Sequence, residues 1–191
     1  MELVASSKIL ILFLLLIVCV VAVMFFLESK QAQKNQLKLN NIANMVIKSP
    51  DFKDNEFIPS VYTCEGENIS PQIDFYDVPS DAQSLVLIMD DPDTSMGTFN
   101  HWIMWNISPE TKTISQNSIP LKATCGLNSA NKKGYIGPCP PSGTHRYFFK
   151  LYALNTTLNL SENSKVLELQ NAITGHIIAE AQMFGLYKKQ K

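Results

Sequence analysis

The chain has 191 residues and a nearly balanced charge, with 16 Lys and Arg against 17 Asp and Glu. No basic stripe or patch stands out, so nucleic acid is excluded as an expected partner. Four cysteines without a CxxC pair are too few for a disulfide scaffold and make a structural zinc site unexpected. About 150 residues follow the N-terminal segment, which is enough for one domain with its own core.

The N-terminus carries a long apolar run. Every residue from Ile9 to Leu27 is apolar, Cys19 least so, and a helix of this length, about 28 Å, approaches the ~30 Å hydrocarbon core of a bilayer. We expect residues 9–27 to form a transmembrane anchor, an uncleaved signal, after a short flank at residues 1–8. A cleaved signal peptide and a lipoprotein signal ending at Cys19 are the alternatives, and the missing small-residue cleavage site disfavours both.

The segment after the anchor bears on membrane orientation. Residues 28–44 are rich in Gln, Asn and Lys and predict a tether that leads to a domain at residues 45–191. Lys30, Lys34 and Lys38 follow the apolar run, and by the positive-inside rule they would keep that domain in the cytoplasm. The cysteines, considered below, favour the opposite side.

Beyond the tether, strand patterns outnumber helical ones. Ser84–Met89 is a compact apolar run typical of a strand buried on both faces. His101–Ile107 and Arg146–Leu154 are aromatic-rich strand candidates. One helix is predicted over Lys165–Ile173, with Ser164 as its cap. The pattern therefore predicts a mostly β domain with one or two peripheral helices.

Three polar clusters fall at the ends of these strands. Asp90–Asp93 follows the buried strand, Asn100–Trp102 opens the next one, and a Gly/Pro-rich loop at Gly134–Thr144 leads into His145 and Tyr147. Each cluster alone could be an ordinary turn or a structural residue, but their conjunction at strand ends predicts a preformed pocket. Imidazole and phenol groups donate hydrogen bonds, so such a pocket suits a phosphate-like anion.

Within this pocket we expect Asp91 to orient His101 and to raise the pKa of its imidazole. Backbone N–H groups near Gly137 and Gly143 are expected to add donors for the anion. Asp91, Asp93 and a histidine could hold a cation, but no spacing motif supports a metal site, and no motif indicates a cofactor.

These motifs, in this order, resemble the phosphatidylethanolamine-binding protein family, and its prokaryotic Raf-kinase-inhibitor-like branch (the YbhB/YbcL type) fits best. The matching stretches run from about residue 45 to residue 187 and are YTCEGENISP, the DDPD turn with HWIMWNI, GYIGPCPPSGTHRYFFKLYAL and GHIIAEAQ. The resemblance implies a β-sandwich of two antiparallel sheets with short helices. It also implies a strand within His176–Tyr187, although the local propensity there favours helix.

The resemblance also carries the family's anion pocket onto this sequence. It implies that Trp102 packs beside His101, that the Gly137–Pro141 loop forms a wall, and that Asp93 supports the loop. The implied ligand-binding residues are Asp91, His101, His145, Tyr147, Trp102, Gly137, Pro138 and Pro141. Ser95 stands where many relatives have Pro, and the loop before the second histidine is short, so the mouth of the pocket is expected to differ.

The function implied by the resemblance is non-enzymatic. We expect a membrane-tethered module that binds a small phosphorylated or anionic ligand, or a phospholipid headgroup. The alternative is a regulatory protein that inhibits a kinase or a protease by direct contact, as some family members do. A hydrolase that uses Cys139 or Cys125 with His145 has little support, because no third residue is evident to orient the base.

The resemblance further implies a disulfide between Cys64 and Cys139, since relatives in this branch often have cysteines at both points. Such a bond persists in an oxidising compartment. We therefore expect the domain to lie outside the cytoplasmic membrane, in a periplasmic or extracellular space, with Cys125 as a free thiol. The lysines after the anchor keep the cytoplasmic side open as the alternative.

Overall fold

The computed structural model describes residues 16–33 and 45–190. The chain divides into two compact units, one up to Asn40 and one from Asn41 onward. In the first unit a helix, α1, covers Leu16–Gln33 with exposed side chains. Its length and composition would allow it to cross a membrane, but a signal sequence near the N-terminus would have the same properties.

Helix α1 covers only part of the predicted N-terminal segments. It includes the predicted span from Leu16 to Leu27 and continues to Gln33, so the first six residues of the predicted tether are helical. The start of the predicted span, within residues 1–15, and the remainder of the tether, residues 34–44, lie outside the described residues.

The second unit is built from two antiparallel sheets. The strands, in chain order, are β1 (Val46–Lys48), β2 (Ile73–Tyr76), β3 (Ser84–Asp91), β4 (Phe99–Ile107), β5 (Thr113–Ile114), β6 (Thr124–Cys125), β7 (His145–Leu154) and β8 (Ile177–Tyr187). One sheet has the order β1-β2-β5, and the larger sheet has the order β6-β4-β3-β7-β8. The prediction of a mostly β domain with two antiparallel sheets is confirmed.

Two short helical elements lie between these strands. A 3-10 turn covers Ser60–Tyr62, and helix α2 covers Val166–Ile173. Helix α2 begins one residue later than predicted, because Lys165 is its N-cap and its N–H donates to the side chain of Glu168 at 3.0 Å. The predicted peripheral helix is therefore present, with a cap one residue further along the chain.

Strand β3 forms the centre of the larger sheet, and all of its residues are buried. One face belongs to the core between the sheets and includes Leu85 and Leu87. The other face, with Val86 and Ile88, belongs to a second core that also includes residues of helix α2. Since side chains alternate between the faces of a strand, Asp91 lies on the same face as Leu87.

Strand β8 forms in a segment whose composition favours helix. It pairs with β7 along nearly its whole length. Its inward positions, such as Ala179 and Met183, are buried in the core between the sheets. Tertiary packing thus outweighs local propensity, and the strand implied by the family resemblance is present.

The pairing of β3 with β4 is interrupted at His101. Met89 pairs with Trp102, and the next pair in the register leaves out His101, which makes it the extra residue of a β-bulge. A bulge re-aims side chains where it is inserted. As a result His101 and Trp102, although consecutive, both contact the core between the sheets, which contains Tyr147.

Candidate functional site

The main candidate site lies at one end of the larger sheet. Asp91 ends β3, His101 is the bulged residue of β4, and His145 opens β7 two residues before Tyr147. The rings of His101 and Tyr147 meet edge to face with centroids 5.2 Å apart, and those of His145 and Tyr147 stack at 6.5 Å. The structure therefore brings four predicted residues into one group, called the histidine cluster below.

Asp91 and His145 form the central polar pair of the histidine cluster. Nδ1 of His145 lies 2.8 Å from Oδ2 of Asp91, and both side chains are buried. The other carboxylate oxygen of Asp91 accepts the backbone N–H of Asp93 at 2.8 Å. The expectation that Asp91 orients His101 is wrong, because the histidine bonded to Asp91 is His145 and Nδ1 of His101 bonds the carbonyl of Ile136.

His101 is held by the backbone instead. Its Nδ1 lies 2.7 Å from the carbonyl oxygen of Ile136, and the N–H of Ile136 donates to the carbonyl of His101 at 3.0 Å. Burial lowers the pKa of His101 and outweighs the opposing effects of the Ile136 carbonyl and the Asp91 charge. The expected increase in this pKa is wrong, since removal from water penalises the imidazolium more than the nearby carboxylate stabilises it.

Tyr147 places a polar atom inside the histidine cluster. Its hydroxyl is buried and has no partner that meets hydrogen-bond geometry among the described residues. Burial raises the pKa of this phenol, and the charge of Asp91 raises it further, so the group is neutral. Asp91 and the backbone of Cys139 lie near this hydroxyl without meeting full hydrogen-bond geometry. A buried polar atom that is bonded so incompletely is a place where a ligand or a water molecule can bond.

The predicted wall loop, Gly137–Pro141, is tied to another part of the chain. Cys64 and Cys139 form a disulfide with Cα atoms 5.4 Å apart, inside the limit of about 7 Å for bridging. The N–H of Cys64 also donates to the carbonyl of Pro138 at 3.1 Å. The cysteine pairing implied by the resemblance is thus present, and it fixes the wall loop next to the histidine cluster.

Gly137 leaves no room for a side chain in the wall loop. A Cβ atom there would lie 2.4 Å from the carbonyl oxygen of Tyr62 and 2.6 Å from Oδ1 of Asn68. The N–H of Gly137 donates to the same Asn68 oxygen at 2.7 Å. This N–H is therefore not available to an anion, because Asn68 already uses it, and donation by other backbone N–H groups near Gly137 and Gly143 stays a prediction. Gly143 lies in an exposed turn with a φ of 72°.

Trp102 contacts a different ring from the one expected. Its indole meets Tyr135 edge to face at 5.7 Å, while the rings beside His101 are those of Phe99, at 4.8 Å, and Tyr147, at 5.2 Å. Cys125 is a buried free thiol, and burial raises its pKa. The indole of Trp102 and the thiol of Cys125 are buried in the core between the sheets. Both side chains therefore support the histidine cluster.

Asp93 supports the cluster from the turn after β3. It accepts both Nε and a terminal nitrogen of Arg146, at 3.0 and 2.7 Å, and also the backbone N–H of Arg146 at 2.9 Å. These bonds lower the pKa of Asp93 to about 2. The turn is therefore joined to the start of β7, beside the Asp91–His145 pair.

A surface groove of about 1180 Å³ adjoins the wall loop. Pro141 contributes to its lining together with the exposed Phe57, Lys188 and Lys189 and the buried Tyr187. None of the four residues of the histidine cluster lines this groove.

Pro138, another predicted ligand-binding residue, is buried. In the described residues, no group of three or more His, Cys, Asp and Glu could hold a metal ion.

Two residues of the site were not predicted from the sequence. Ile136 supplies the carbonyl for His101, and Asn68 supplies the acceptor for Gly137. A backbone carbonyl has no sequence signal, so Ile136 could not have been found. Asn68 had a weak one, since an asparagine in a Gly-containing loop often adopts a left-handed conformation, and its φ is 59°.

Two antiparallel sheets, a loop tied by a disulfide and a buried His–Asp–Tyr cluster define a β-sandwich domain with a preformed polar site. The family model described as phosphatidylethanolamine-binding protein matches residues 48–188, which is most of the chain. The chain therefore belongs to the phosphatidylethanolamine-binding protein family.

Several relatives and solved structures are similar to this chain. A UPF0098 protein from Methanothermobacter thermautotrophicus is 43% identical over 150 residues, which cover 76% of this chain and 99% of the relative. The crystal structure of a phosphatidylethanolamine-binding protein homologue from Chlamydia trachomatis is 41% identical, with a TM-score of 0.74 over 76% of this chain and 98% of that one. E. coli YbcL, described as a member of the mammalian family, is 26% identical with a TM-score of 0.73, over 76% of this chain and 99% of YbcL. The prokaryotic branch of the family is thus the one that fits.

Proposed function

We propose that this domain binds a small phosphorylated or otherwise anionic ligand, including a phospholipid headgroup, at the histidine cluster, without catalysing a reaction. The observation that carries this proposal is the convergence of two imidazoles and one phenol around the buried carboxylate of Asp91. Groups from three strands meet at one point, and each of the three rings carries a nitrogen or oxygen that can donate to an anion.

The hydrogen bonds already present set how the imidazoles would act. The carbonyl of Ile136 occupies Nδ1 of His101, and Asp91 occupies Nδ1 of His145. The proposal assigns the second nitrogen of each ring, Nε2, to the ligand. The backbone of Gly137 also interacts with the His101 ring. Protonation turns Nε2 into a charged donor, so an anion and a proton are expected to bind together.

Each of the two aspartates beside the cluster has a basic side chain as its partner. Asp91 is paired with His145, and Asp93 is paired with Arg146. With a formal net charge of −1, the chain has no broad positive field to attract anions. Binding must then come from local donors, and modest affinity is expected.

The proposal includes a membrane location for the binding domain. The apolar helix Leu16–Gln33 supports a single-pass anchor, and the Cys64–Cys139 disulfide supports an oxidising compartment, periplasmic or extracellular. The cytoplasmic side is the alternative. Inhibition of a kinase or a protease by direct contact stays a prediction from the family resemblance.

Calorimetric titration with inorganic phosphate and with phosphoethanolamine at about pH 6 tests ligand binding. The double variant His101→Ala/His145→Ala is expected to lose at least about a hundredfold in affinity, because each of two charged hydrogen bonds contributes roughly 1.5–3 kcal/mol. His176→Ala is the matched control, since this exposed histidine bonds Asn155 and lies outside the cluster. Equal affinity in the double variant and the wild type would overturn the proposal.

A further inference from the structure

A single peptide group joins Asn68 to His101. Its N–H, on Gly137, donates to Oδ1 of Asn68 at 2.7 Å. Its C=O, on Ile136, lies 2.7 Å from Nδ1 of His101. The two side chains therefore bond opposite ends of the same amide, although they come from different loops and strands.

This arrangement determines which ring nitrogen of His101 carries a proton. A carbonyl oxygen can only accept, so Nδ1 must carry the proton that it donates to Ile136. Hydrogen bonds at the two ends of an amide polarise one another, by about 10–30% per bond. The bond to Asn68 thus makes the Ile136 carbonyl a better acceptor for His101.

We propose that Asn68 is a positioning residue of the anion site, which acts through the Ile136–Gly137 peptide to fix the orientation and the Nδ1–H tautomer of His101. Asn68 does not touch the ligand in this scheme. The inference rests on the proposed function, because it names the residue that prepares His101 to present Nε2 to an anion.

The local backbone explains why asparagine suits this position. Asn68 has a φ of 59°, in the left-handed region that Asn and Gly adopt most readily, and its N–H donates to the carbonyl of Val61 at 3.0 Å. Gly137 lies so close to Tyr62 and Asn68 that no Cβ fits. The peptide group is therefore confined between Asn68 on one side and His101 on the other.

Two substitutions separate the side-chain acceptor from the backbone conformation. Asn68→Gly removes the amide oxygen but keeps a residue that tolerates positive φ. Asn68→Asp keeps an oxygen in the same place. Asn131→Gly is the matched control, because Asn131 also has a positive φ, 57°, and its N–H donates to the carbonyl of Asn128, which is not a residue of the histidine cluster.

The readout is ¹⁵N NMR of the full-length chain in detergent micelles with labelled histidines. The wild type is expected to show His101 as the pure Nδ1–H tautomer. In Asn68→Gly both tautomers should appear, and the pKa of His101 should fall, because the carbonyl that favours the protonated ring accepts less strongly. Phosphate affinity at about pH 6 should fall roughly two- to tenfold, the worth of one hydrogen bond. Asn68→Asp should restore the tautomer and the affinity.

The opposite results are equally specific. An unchanged tautomer and pKa in folded Asn68→Gly, or the same change in Asn131→Gly, would overturn the assignment. Should Asn68→Gly not fold, Asn68→Ser serves in its place, since the shorter hydroxyl cannot span the distance to Gly137. The ring signals need no ligand: if they respond while the wild type fails to bind phosphate, the proposed function fails and the positioning role stands.

Discussion

Asp91 and His145 are 54 positions apart in the sequence, yet Oδ2 of one lies 2.8 Å from Nδ1 of the other. Strand β3 ends at Asp91 and strand β7 begins at His145, and the two strands are antiparallel neighbours. The end of one strand therefore lies beside the start of the other. The pairing of β3 with β7 therefore brings Asp91 and His145 together, so the centre of the candidate site is positioned by the larger sheet.

Removing Asp91 should destabilise the domain because it leaves the buried His145 without a partner. We expect Asp91→Ala to lower the free energy of unfolding by about 3 kcal/mol, the lower end for a broken buried pair. Asp91→Asn keeps an oxygen that can accept from Nδ1 and should cost about 1 kcal/mol. Urea unfolding followed by fluorescence measures both. Asp81→Ala is the control on an exposed carboxylate, and equal losses in all three variants would contradict the pair's role.

The stability of the domain should depend on pH through His101. Burial lowers its pKa in the folded state, while the unfolded chain has the ordinary value of about 6.5. Between these two values the unfolded chain binds more protons, so the free energy of unfolding falls as the pH drops below about 6.5. Melting temperatures from about pH 7.5 down to pH 5 measure this effect.

Phosphate should counteract this loss of stability, because an anion stabilises the protonated imidazole. Its affinity should accordingly decrease as the pH rises toward neutrality. His101→Gln should flatten the melting profile below about pH 6.5 and remove the effect of phosphate on it. A profile that is the same in His101→Gln and the wild type would show that another group is responsible.

The sequence predicted the strands well because burial leaves a strong pattern. The apolar run Ser84–Met89 lies within the fully buried strand β3, and the aromatic-rich run Arg146–Leu154 lies within β7. The strand β8 was found only through the family resemblance. Its small and polar residues favour helix locally, and pairing with β7 along one edge overrides that preference.

The residues of the site were predicted more successfully than the hydrogen bonds between them. Histidines, aspartates and a tyrosine at strand ends are visible in the sequence, and Asp91, His101, His145 and Tyr147 do meet. The partner of Asp91 was assigned wrongly because the pairing of β3 with β7, which is not visible in the sequence, places His145 beside Asp91. The bulge at His101 also shifts one residue of β4 out of register. Such a shift, and the use of a backbone carbonyl as a partner, leave no mark on side-chain chemistry.

Removal of the N-terminal unit should leave a folded domain. The chain divides near Asn40, and the strands and the histidine cluster lie after that point. We expect the chain without residues 1–40 to be a soluble monomer with one cooperative melting transition. Size-exclusion chromatography and differential scanning calorimetry measure this. Aggregation, or the absence of a cooperative transition, would mean that the domain requires the N-terminal segment.

Loss of the Cys64–Cys139 disulfide should lower the stability of the domain strongly and should change its affinity for phosphate only slightly. The bond joins residues 75 positions apart, and closing a loop of this length contributes about 4 kcal/mol in the chain-entropy account. The wall loop would still be held by the bond of Gly137 to Asn68 and by that of Pro138 to the Cys64 N–H. We therefore expect the Cys64→Ser/Cys139→Ser variant to melt at a much lower temperature and to bind phosphate almost as the wild type does.

The comparison of reduced and oxidised protein completes this test. A reductant should lower the melting temperature of the wild type to that of the double serine variant and should leave that variant unchanged, because the remaining cysteine described in the domain, Cys125, is a free thiol. Titration under conditions where both forms are folded separates stability from binding. If the double variant loses phosphate binding while still folded, the disulfide itself shapes the site, and the two hydrogen bonds are not sufficient to hold the wall loop.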